Sequence, residues 1–194
     1  MDIVIATHNK GKAFELKEIL AGYGYNAVSL SELGIGDEVE ETGETFKENA
    51  LLKARFAYNK TGRLSLADDS GLEVEALNGA PGIYSSRYAE NDKARINRLL
   101  KELNGIPAEN RGARFVCALA VVSGDTEYAV CGTCDGRILT ETVGAGGFGY
   151  DPVFFFEPMG KTFGQLTDIE KNEVSHRANA LKKFESEILP KINK

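Results

Sequence analysis

The 194-residue chain contains no tryptophan, three cysteines, two histidines and five prolines. Three cysteines are too few for a disulfide scaffold, and they suit a reducing compartment better than an oxidising one. No apolar run approaches the roughly 18 residues that would span a membrane. Met1 is followed by an acidic residue rather than by a basic start and a long apolar core, so we predict no secretion signal and a cytoplasmic protein.

The chain also has fewer basic than acidic residues. Lysine and arginine number 23 against 29 aspartates and glutamates, which gives a formal net charge of −6. An acidic chain argues against nucleic acid or an anionic membrane as a partner, because both attract basic proteins. A small anionic ligand remains compatible with this charge if cations or backbone N–H groups collect locally. Hydrophobic residues make up 42% of the chain, and the length predicts a single folded domain over residues 1–194.

Hydrophobic periodicity predicts strands that alternate with amphipathic helices. A helix is predicted to begin at Thr45, with a capping box in which Glu48 reaches back to Thr45. A strand over 64–67 is predicted to end at Asp68-Asp69, and one continuous helical stripe is predicted over 174–188. Because strand–helix units mix with hairpins, the pattern indicates a three-layer α/β fold with a mixed sheet and two lobes.

A polar loop joins the first strand to the first helix. Thr7-His8-Asn9-Lys10-Gly11-Lys12 opens that helix, where unpaired N–H groups and the helix dipole favour an anion. The loop is not a P-loop, because the first glycine and the terminal serine or threonine are missing. The residues alone leave two interpretations open, a phosphate site or an ordinary capped helix start with solvated lysines.

Two acidic pairs, Glu40-Glu41 and Asp68-Asp69, have the chemistry of a magnesium site, since magnesium prefers a few carboxylates with water and phosphate oxygens. Taken alone, the first pair is better explained as a solvated acidic loop. Successive side chains in an extended chain point to opposite faces. If extended geometry persists through the second pair, only one of its aspartates faces the site, and the pattern does not choose between them.

The segment Gly144–Gly149 matches G-x-G-x-x-G, but Pro152 and a strand follow it where a dinucleotide-binding motif requires a helix. The loop is therefore either a tight turn or a backbone shaped around a flat ligand, with Phe148 available to stack on a base. Ser175-His176-Arg177 opens the last helix, and an arginine there can bind a carbonyl or a phosphate.

The pair Cys131 and Cys134 forms a C-x-x-C motif in a strand-like run. A thioredoxin-type motif begins a helix, and a structural zinc site needs two more ligands at regular spacing. We therefore interpret these cysteines as packing residues.

Six motifs follow one another along the chain. They are Thr7-x-Asn9-x-Gly11-Lys12, Glu40-Glu41-Thr42-Gly43-x-Thr45-Phe46-x-Glu48-Asn49-Ala50, Ala67-Asp68-Asp69-Ser70-Gly71-Leu72, Gly79-x-Pro81-Gly82-x-Tyr84-Ser85-x-Arg87, Gly147-Phe148-Gly149-Tyr150-Asp151-Pro152 and Ser175-His176-Arg177. From Ile3 to the last helix, this set closely resembles the inosine triphosphate pyrophosphatase family, the dITP/XTP pyrophosphatases.

The resemblance implies an elongated α/β/α fold with two lobes around a central cleft, usually as a homodimer. It implies attack of water at the α-phosphate of dITP, ITP or XTP, with Mg²⁺ as the cofactor. Asp69 is implied as the catalytic acid/base and a metal ligand, Glu40 as the other metal ligand, and Lys53 as a catalytic group that neutralises phosphate charge. The implied substrate-binding residues are Thr7, His8, Asn9, Lys10, Gly11, Lys12, Ser70, Phe148, Gly149, Tyr150, Asp151, Lys171, His176 and Arg177.

One position departs from the family pattern. Many members have glycine where this chain has His8, and glycine permits backbone angles that histidine avoids. Two alternative functions also stay open, a septum-inhibitor (Maf) type pyrophosphatase acting on modified pyrimidine or canonical triphosphates, and a nucleotide-binding regulator without turnover. A nicotinamide oxidoreductase is disfavoured by the strand that follows the glycine-rich loop.

Overall fold

The computed structural model describes residues 2–37 and 39–192. Within these ranges, seven strands form one sheet in the order β2-β1-β3-β4-β5-β6-β7. The strands are β1 Asp2–Ile5, β2 Asn26–Ser29, β3 Ser65–Val74, β4 Gly112–Ser123, β5 Thr126–Ile138, β6 Phe154–Phe156 and β7 Lys161–Thr162. β1 runs parallel to β2 and β3, whereas β6 runs antiparallel to β5 and β7. The prediction of an α/β fold with a mixed sheet is confirmed.

The helices of the described ranges are α1 Lys10–Gly22, α2 Phe46–Thr61, α3 Asp92–Glu102, α4 Asp168–Val174, α5 His176–Lys183 and α6 Leu189–Ile192. A π-helical turn over Phe184–Ile188 connects α5 to α6. No helix in the described part of the chain has both the length and the apolar character needed to cross a membrane.

The chain divides into two compact units, each assembled from separate stretches of sequence. Unit 1 comprises Met1–Asp69, Cys117–Gly132 and His176–Lys194. Unit 2 comprises Ser70–Val116 and Thr133–Ser175. Each unit has its own apolar core, and each holds a different set of the predicted site residues.

In unit 1 the sheet is covered on both faces. Ile3 and Ile5 pack in one core with apolar residues of α1 and α5. Val4 points to the opposite face, because successive side chains of a strand alternate, and it is also fully buried. Helix α2 contacts β1 and buries its row of small residues, Ala50, Ala54 and Ala57. These contacts account for the predicted helix, sheet and helix layers in this unit.

The core of unit 2 is built around three phenylalanines. The ring of Phe115 lies 4.5 Å from that of Phe154 and is stacked on that of Phe163 at 5.7 Å. Ile96 and Leu99 of α3 pack in the same core. Aromatic contacts of this kind fix the segment that follows the glycine-rich loop.

The structure differs from three local predictions. Strand β3 does not end before Asp68-Asp69 but runs unbroken to Val74, so these aspartates lie within the strand. At α2, Thr45 Oγ1 accepts from the N–H of Glu48 as predicted, but the Glu48 carboxylate accepts from the N–H of Glu44, one residue earlier than a capping box requires. The predicted stripe over 174–188 is interrupted at Ser175, whose extended backbone separates α4 from α5.

Candidate functional site

A lysine and an aspartate of unit 1 form a close, largely buried pair. Lys53 extends from α2, and its Nζ lies 2.6 Å from Oδ1 of Asp69 on β3. The same Nζ lies 2.5 Å from Oε1 of Glu41. Asp69 is only 5% exposed. Helix α2 and strand β3 therefore place one ammonium group between two carboxylates.

One carboxylate oxygen of Asp69 makes no hydrogen bond within the described residues. Burial raises the pKa of Asp69 above its ordinary value, although the charges of Lys53 and Lys12 act in the opposite direction. Within the described part of the chain, Asp69 Oδ2 is buried and has no hydrogen-bond partner. A buried acceptor without a partner costs about 1–3 kcal/mol, so this oxygen is prepared to receive a proton or a cation.

Asp68 has a different set of partners. Its Oδ1 lies 3.1 Å from Lys12 Nζ, and its Oδ2 accepts a hydrogen bond from Arg177 Nε at 3.1 Å. Burial opposes the charged form of Asp68, but the charges of Lys12, Arg177 and Lys53 outweigh it and hold the pKa of this carboxyl well below its usual range. The two aspartates thus have different partners. Within the described residues Asp68 Oδ1 also makes no hydrogen bond, but its charge is balanced by Lys12 and Arg177.

Arg177 extends this network to a residue that the sequence motifs did not indicate. Its Nη1 lies 2.6 Å from Oε2 of Glu15, and the arginine is 3% exposed. Glu15 lies on α1, one turn after Lys12, and it is buried beside Leu16. An acidic residue inside an apolar helix stripe was the available signal. His176, the neighbour of Arg177, is also buried.

The loop before α1 has the geometry of a capped helix start. Asn9 Oδ1 accepts from the N–H of Lys12 at 3.1 Å, and Thr7 Oγ1 accepts from the N–H of Asn9 at 3.2 Å. Lys10 is exposed at the first position of the helix, whereas Gly11 and Lys12 are half-buried. The positive end of the α1 dipole and two lysines therefore lie together, which is the arrangement that favours a phosphate.

His8 does not strain this loop. Among the described residues Asn78 is the non-glycine residue with a positive φ, so the backbone at position 8 lies in a region that histidine adopts freely. The His8 ring contacts the segment over 31–37, with Nε2 2.9 Å from the carbonyl oxygen of Asp37. The departure from the family glycine is thus compatible with the loop and adds a side-chain contact.

Replacement of His8 by glycine should lower the free energy of unfolding by about 1 kcal/mol, because one hydrogen bond is lost and the unfolded chain gains freedom. Urea denaturation of both proteins at neutral pH measures this difference. His8→Gln keeps an N–H donor at a similar reach and should lose less. A loss in His8→Gly that lies within the error of the measurement would show that the contact with Asp37 contributes nothing.

Unit 2 holds a second group of predicted residues. Lys171 Nζ lies 2.6 Å from Asp151 Oδ2 and 4.6 Å from the centre of the Phe148 ring. Asp151 also accepts from the N–H of Phe148 at 2.8 Å. The lysine and the aspartate are both buried, Tyr150 is buried, and Ser70 is half-buried. The glycine-rich loop and α4 therefore hold a cation against an aromatic face.

The acidic loop before α2 presents its two glutamates differently. Glu41 contacts Lys53, whereas Glu40 is exposed. Over residues 2–37 and 39–192, no group of three or more histidine, cysteine, aspartate or glutamate side chains is arranged to hold a metal ion. A metal here would have to take most of its ligands from elsewhere.

The C-x-x-C motif lies on β5, as the strand-like run predicted. Cys131 is exposed, Cys134 is buried, and both are free. Burial, with smaller contributions from Asp135 and Glu157, raises the pKa of Cys134 to about 12, so this side chain is a thiol at neutral pH. The motif lies within a strand rather than at the helix start that a thioredoxin-type site requires.

Comparison with known proteins gives consistent matches over nearly the whole chain. Residues 3–187 match the model of the Ham1 family. The dITP/XTP pyrophosphatase of Bacillus subtilis (strain 168) is 50% identical over 187 residues, which cover 94% of each chain. The protein of the same name from Thermoanaerobacter sp. (strain X514) is 47% identical over 195 residues, covering 99% of this chain and 98% of that one.

Solved structures agree with the sequence matches. The Ham1 protein of Staphylococcus aureus superposes with a TM-score of 0.86 at 41% identity, covering all of both chains. The nucleoside-triphosphatase / dITP/XTP pyrophosphatase of Mycobacterium abscessus superposes with a TM-score of 0.75 at 42% identity, covering 95% of this chain and 98% of that one. The family resemblance predicted from the six motifs is confirmed, and the chain belongs to the Ham1 family.

Proposed function

We propose that this protein hydrolyses non-canonical purine nucleoside triphosphates, dITP, ITP and XTP, to the monophosphate and pyrophosphate. Such an activity removes these nucleotides from the pool and prevents their incorporation into DNA and RNA. The observation that carries the proposal is the buried pair of Lys53 and Asp69, in which one carboxylate oxygen has no hydrogen-bond partner among the described residues. Membership of the Ham1 family and the names of the relatives support the substrate class.

The proposed reaction is a displacement at the α-phosphorus. A water oxygen forms a bond to phosphorus, and the bond from phosphorus to the oxygen bridging the α- and β-phosphates breaks, so pyrophosphate leaves. Asp69 accepts the proton of the attacking water through Oδ2, which has no hydrogen-bond partner among the described residues. Lys53 neutralises negative charge that develops on the phosphate oxygens. Its own pKa is raised, because the attraction of Asp69 and Glu41 outweighs the effect of burial, so it stays an ammonium.

The residues present fit a magnesium ion. Magnesium is usually held by one or two carboxylates with substrate phosphates and water, so a site without three protein carboxylates is suitable. Asp69, with its unpartnered buried oxygen, and Glu40 would hold the ion. When bound, magnesium supplies charge neutralisation and orders the phosphate oxygens and the water.

The remaining predicted residues are proposed to bind the nucleotide. Thr7, His8, Asn9, Lys10, Gly11 and Lys12 would bind the triphosphate at the start of α1, where the helix dipole and two lysines favour an anion. Ser70, Phe148, Gly149, Tyr150, Asp151, Lys171, His176 and Arg177 would contact the base and sugar. Donors such as lysine and arginine favour a 6-keto purine, because an adenine amino group would leave them unpaired.

Pyrophosphate release from dITP, XTP, dGTP and dATP, with magnesium and with a chelator, tests the proposal. We expect magnesium-dependent release from dITP and XTP, with dATP at least about tenfold poorer in kcat/KM because of its 6-amino group. Release from dGTP is also expected to be poor, but this rests on the family resemblance, since guanine carries the same 6-keto group. Release without that preference would overturn the substrate class and favour a Maf-type pyrophosphatase. Absence of release from all four nucleotides, with binding retained, would overturn the activity and favour a regulator.

We further propose that both units act as one catalytic domain, as a homodimer in the cytoplasm. One family model spans residues of both units, which supports a single functional domain. The three free cysteines suit a reducing compartment. The homodimer rests on the family resemblance, and light scattering on the purified protein measures it directly.

A further inference from the structure

The backbone of the glycine-rich loop in unit 2 is held by a side chain from outside the loop. The N–H of Gly149 donates to Asp92 Oδ2 at 2.8 Å. Asp92 is the first residue of α3, far away in sequence from the loop. None of the six motifs includes it, and no role in nucleotide binding has been given to it above.

Asp92 is itself fixed in place. Its Oδ1 accepts a hydrogen bond from Arg95 Nη1 at 2.7 Å, and Arg95 Nε donates to the carbonyl oxygen of Ala89 at 3.1 Å. A carboxylate in the first turn is also stabilised by the helix dipole. Helix α3 is anchored in the unit 2 core through Ile96 and Leu99. Both oxygens of the carboxylate are therefore used, one by the helix and one by the loop.

Among the glycines of the loop, Gly149 is the one with open space around its Cα. Gly149 has a φ of +62°, and a Cβ placed there would meet no atom within 4 Å, so its own packing does not fix the backbone. On its two sides, the N–H of Phe148 is held by Asp151, and the Tyr150 hydroxyl donates to the carbonyl oxygen of Ser85 at 2.9 Å. Gly149 lies inside a turn in which the N–H of Asp151 donates to the carbonyl oxygen of Phe148 at 3.3 Å. Asp92 adds the hydrogen bond that holds the N–H of the glycine within this turn.

We propose that Asp92 is a positioning residue that fixes the backbone from Phe148 to Tyr150 and thereby sets the preference among purine bases. The base preference rests on the proposed function, in which this loop contacts the nucleobase. A hydrogen bond to a charged group is worth more than one between neutral groups, so its loss should loosen the loop measurably. The loop would then accept bases that the fixed backbone excludes.

The test compares Asp92→Ala with Asp92→Asn. Alanine removes the acceptor, whereas asparagine loses the charge and the ion pair with Arg95 but keeps an oxygen for the Gly149 N–H. In Asp92→Ala we expect the ratio of kcat/KM for dITP to that for dATP to fall about tenfold, with KM for dITP raised more than kcat is lowered. In Asp92→Asn the ratio should return to within about threefold of wild type. Asp125→Ala, the same change at the exposed turn between β4 and β5, is the matched control and should leave the ratio unchanged.

A purely structural role would lower turnover of every nucleotide together and leave the ratio unmoved, and that result would overturn the proposal. An asparagine variant as poor as the alanine variant would do the same, because the charge rather than the loop contact would then matter. Amide hydrogen exchange over residues 147–151 gives a readout without turnover. Exchange should be faster in Asp92→Ala and near wild type in Asp92→Asn. If the wild-type protein hydrolyses none of the nucleotides, the proposed function fails, whereas unchanged exchange in Asp92→Ala refutes the loop contact itself.

Discussion

Replacement of Asp69 by asparagine should lower kcat for dITP about 10²–10⁴-fold, the range that a positioned general base contributes. Asparagine has nearly the same shape as aspartate, but its amide cannot take a proton from water. The buried Oδ2 of Asp69 has no hydrogen-bond partner in the described ranges, so the lost function is that of a free acceptor rather than of a structural contact. Asp69 is also a proposed magnesium ligand, and the loss of its negative charge adds to the effect.

The fold should survive this change. Lys53 keeps Glu41 at 2.5 Å, so its charge is not left unpaired in Asp69→Asn. Circular dichroism and urea denaturation therefore accompany the measurement of pyrophosphate release, and Asp125→Asn, the same substitution at an exposed turn, is the control. Turnover near the wild-type rate in a folded Asp69→Asn protein would remove Asp69 from the reaction.

The choice between Asp68 and Asp69 illustrates what the sequence could predict. Strict alternation along a strand predicted that the two carboxylates separate, and the extended geometry of β3 bears this out. The pattern could not tell that Asp68 pairs with Lys12 and Arg177, because these two cations approach from distant parts of the chain. Partners that are far apart in sequence leave no periodic signal.

Local signals predicted the elements better than their ends. The apolar run after Leu64 predicted a strand that ends at Asp68-Asp69, because Asp68-Asp69-Ser70-Gly71 is polar and contains a turn residue. The structure continues one strand through these residues, since Lys12, Arg177 and Lys53 compensate the buried charges. Tertiary ion pairs thus overrode a local turn signal.

The roles of two positioning groups could not be predicted for a similar reason. Glu15 looks like an ordinary helical glutamate until Arg177 is seen beside it, and Asp92 looks like a first-turn acid until Gly149 is seen to donate to it. The family motifs identified residues that contact substrate in the proposed function. They did not identify the residues that hold those groups in place, which depend on tertiary packing.

The largest effect on stability is expected at Arg177. Its Nη1 is paired with Glu15 and its Nε with Asp68, and the arginine is almost completely buried. Removing one partner of a buried ion pair costs about 3–5 kcal/mol, because the remaining charges are left in a poorly solvated place. Arg177→Met keeps much of the side-chain volume, so no large cavity forms. A loss of unfolding free energy of this size would therefore come from the ion pairs that Glu15 and Asp68 lose.

Arg55→Met is the matched control for this prediction. Arg55 makes two hydrogen bonds of 2.6 Å to Glu127, but both side chains are partly exposed, so water replaces the lost partner. An exposed pair contributes at most about 1 kcal/mol. Urea denaturation should therefore show that Arg177→Met loses several times more unfolding free energy than Arg55→Met does. Similar losses in the two variants would contradict the prediction, because burial would then not determine how much unfolding free energy is lost with an ion pair.

A double variant separates charge from packing at this site. Adding Glu15→Leu to Arg177→Met removes one of the two carboxylates that the arginine leaves behind, while Asp68 keeps Lys12 at 3.1 Å. If the loss of the ion pair causes the destabilisation, the double variant should be more stable than Arg177→Met by about 1–3 kcal/mol, because a buried carboxylate that has lost its ion pair with Arg177 is replaced by an apolar group. If instead the loss reflects broken packing around α1 and α5, the second substitution should add to the first. The sign of the change in unfolding free energy when Glu15→Leu is added therefore decides whether Arg177 stabilises unit 1 through its ion pairs or through its packing.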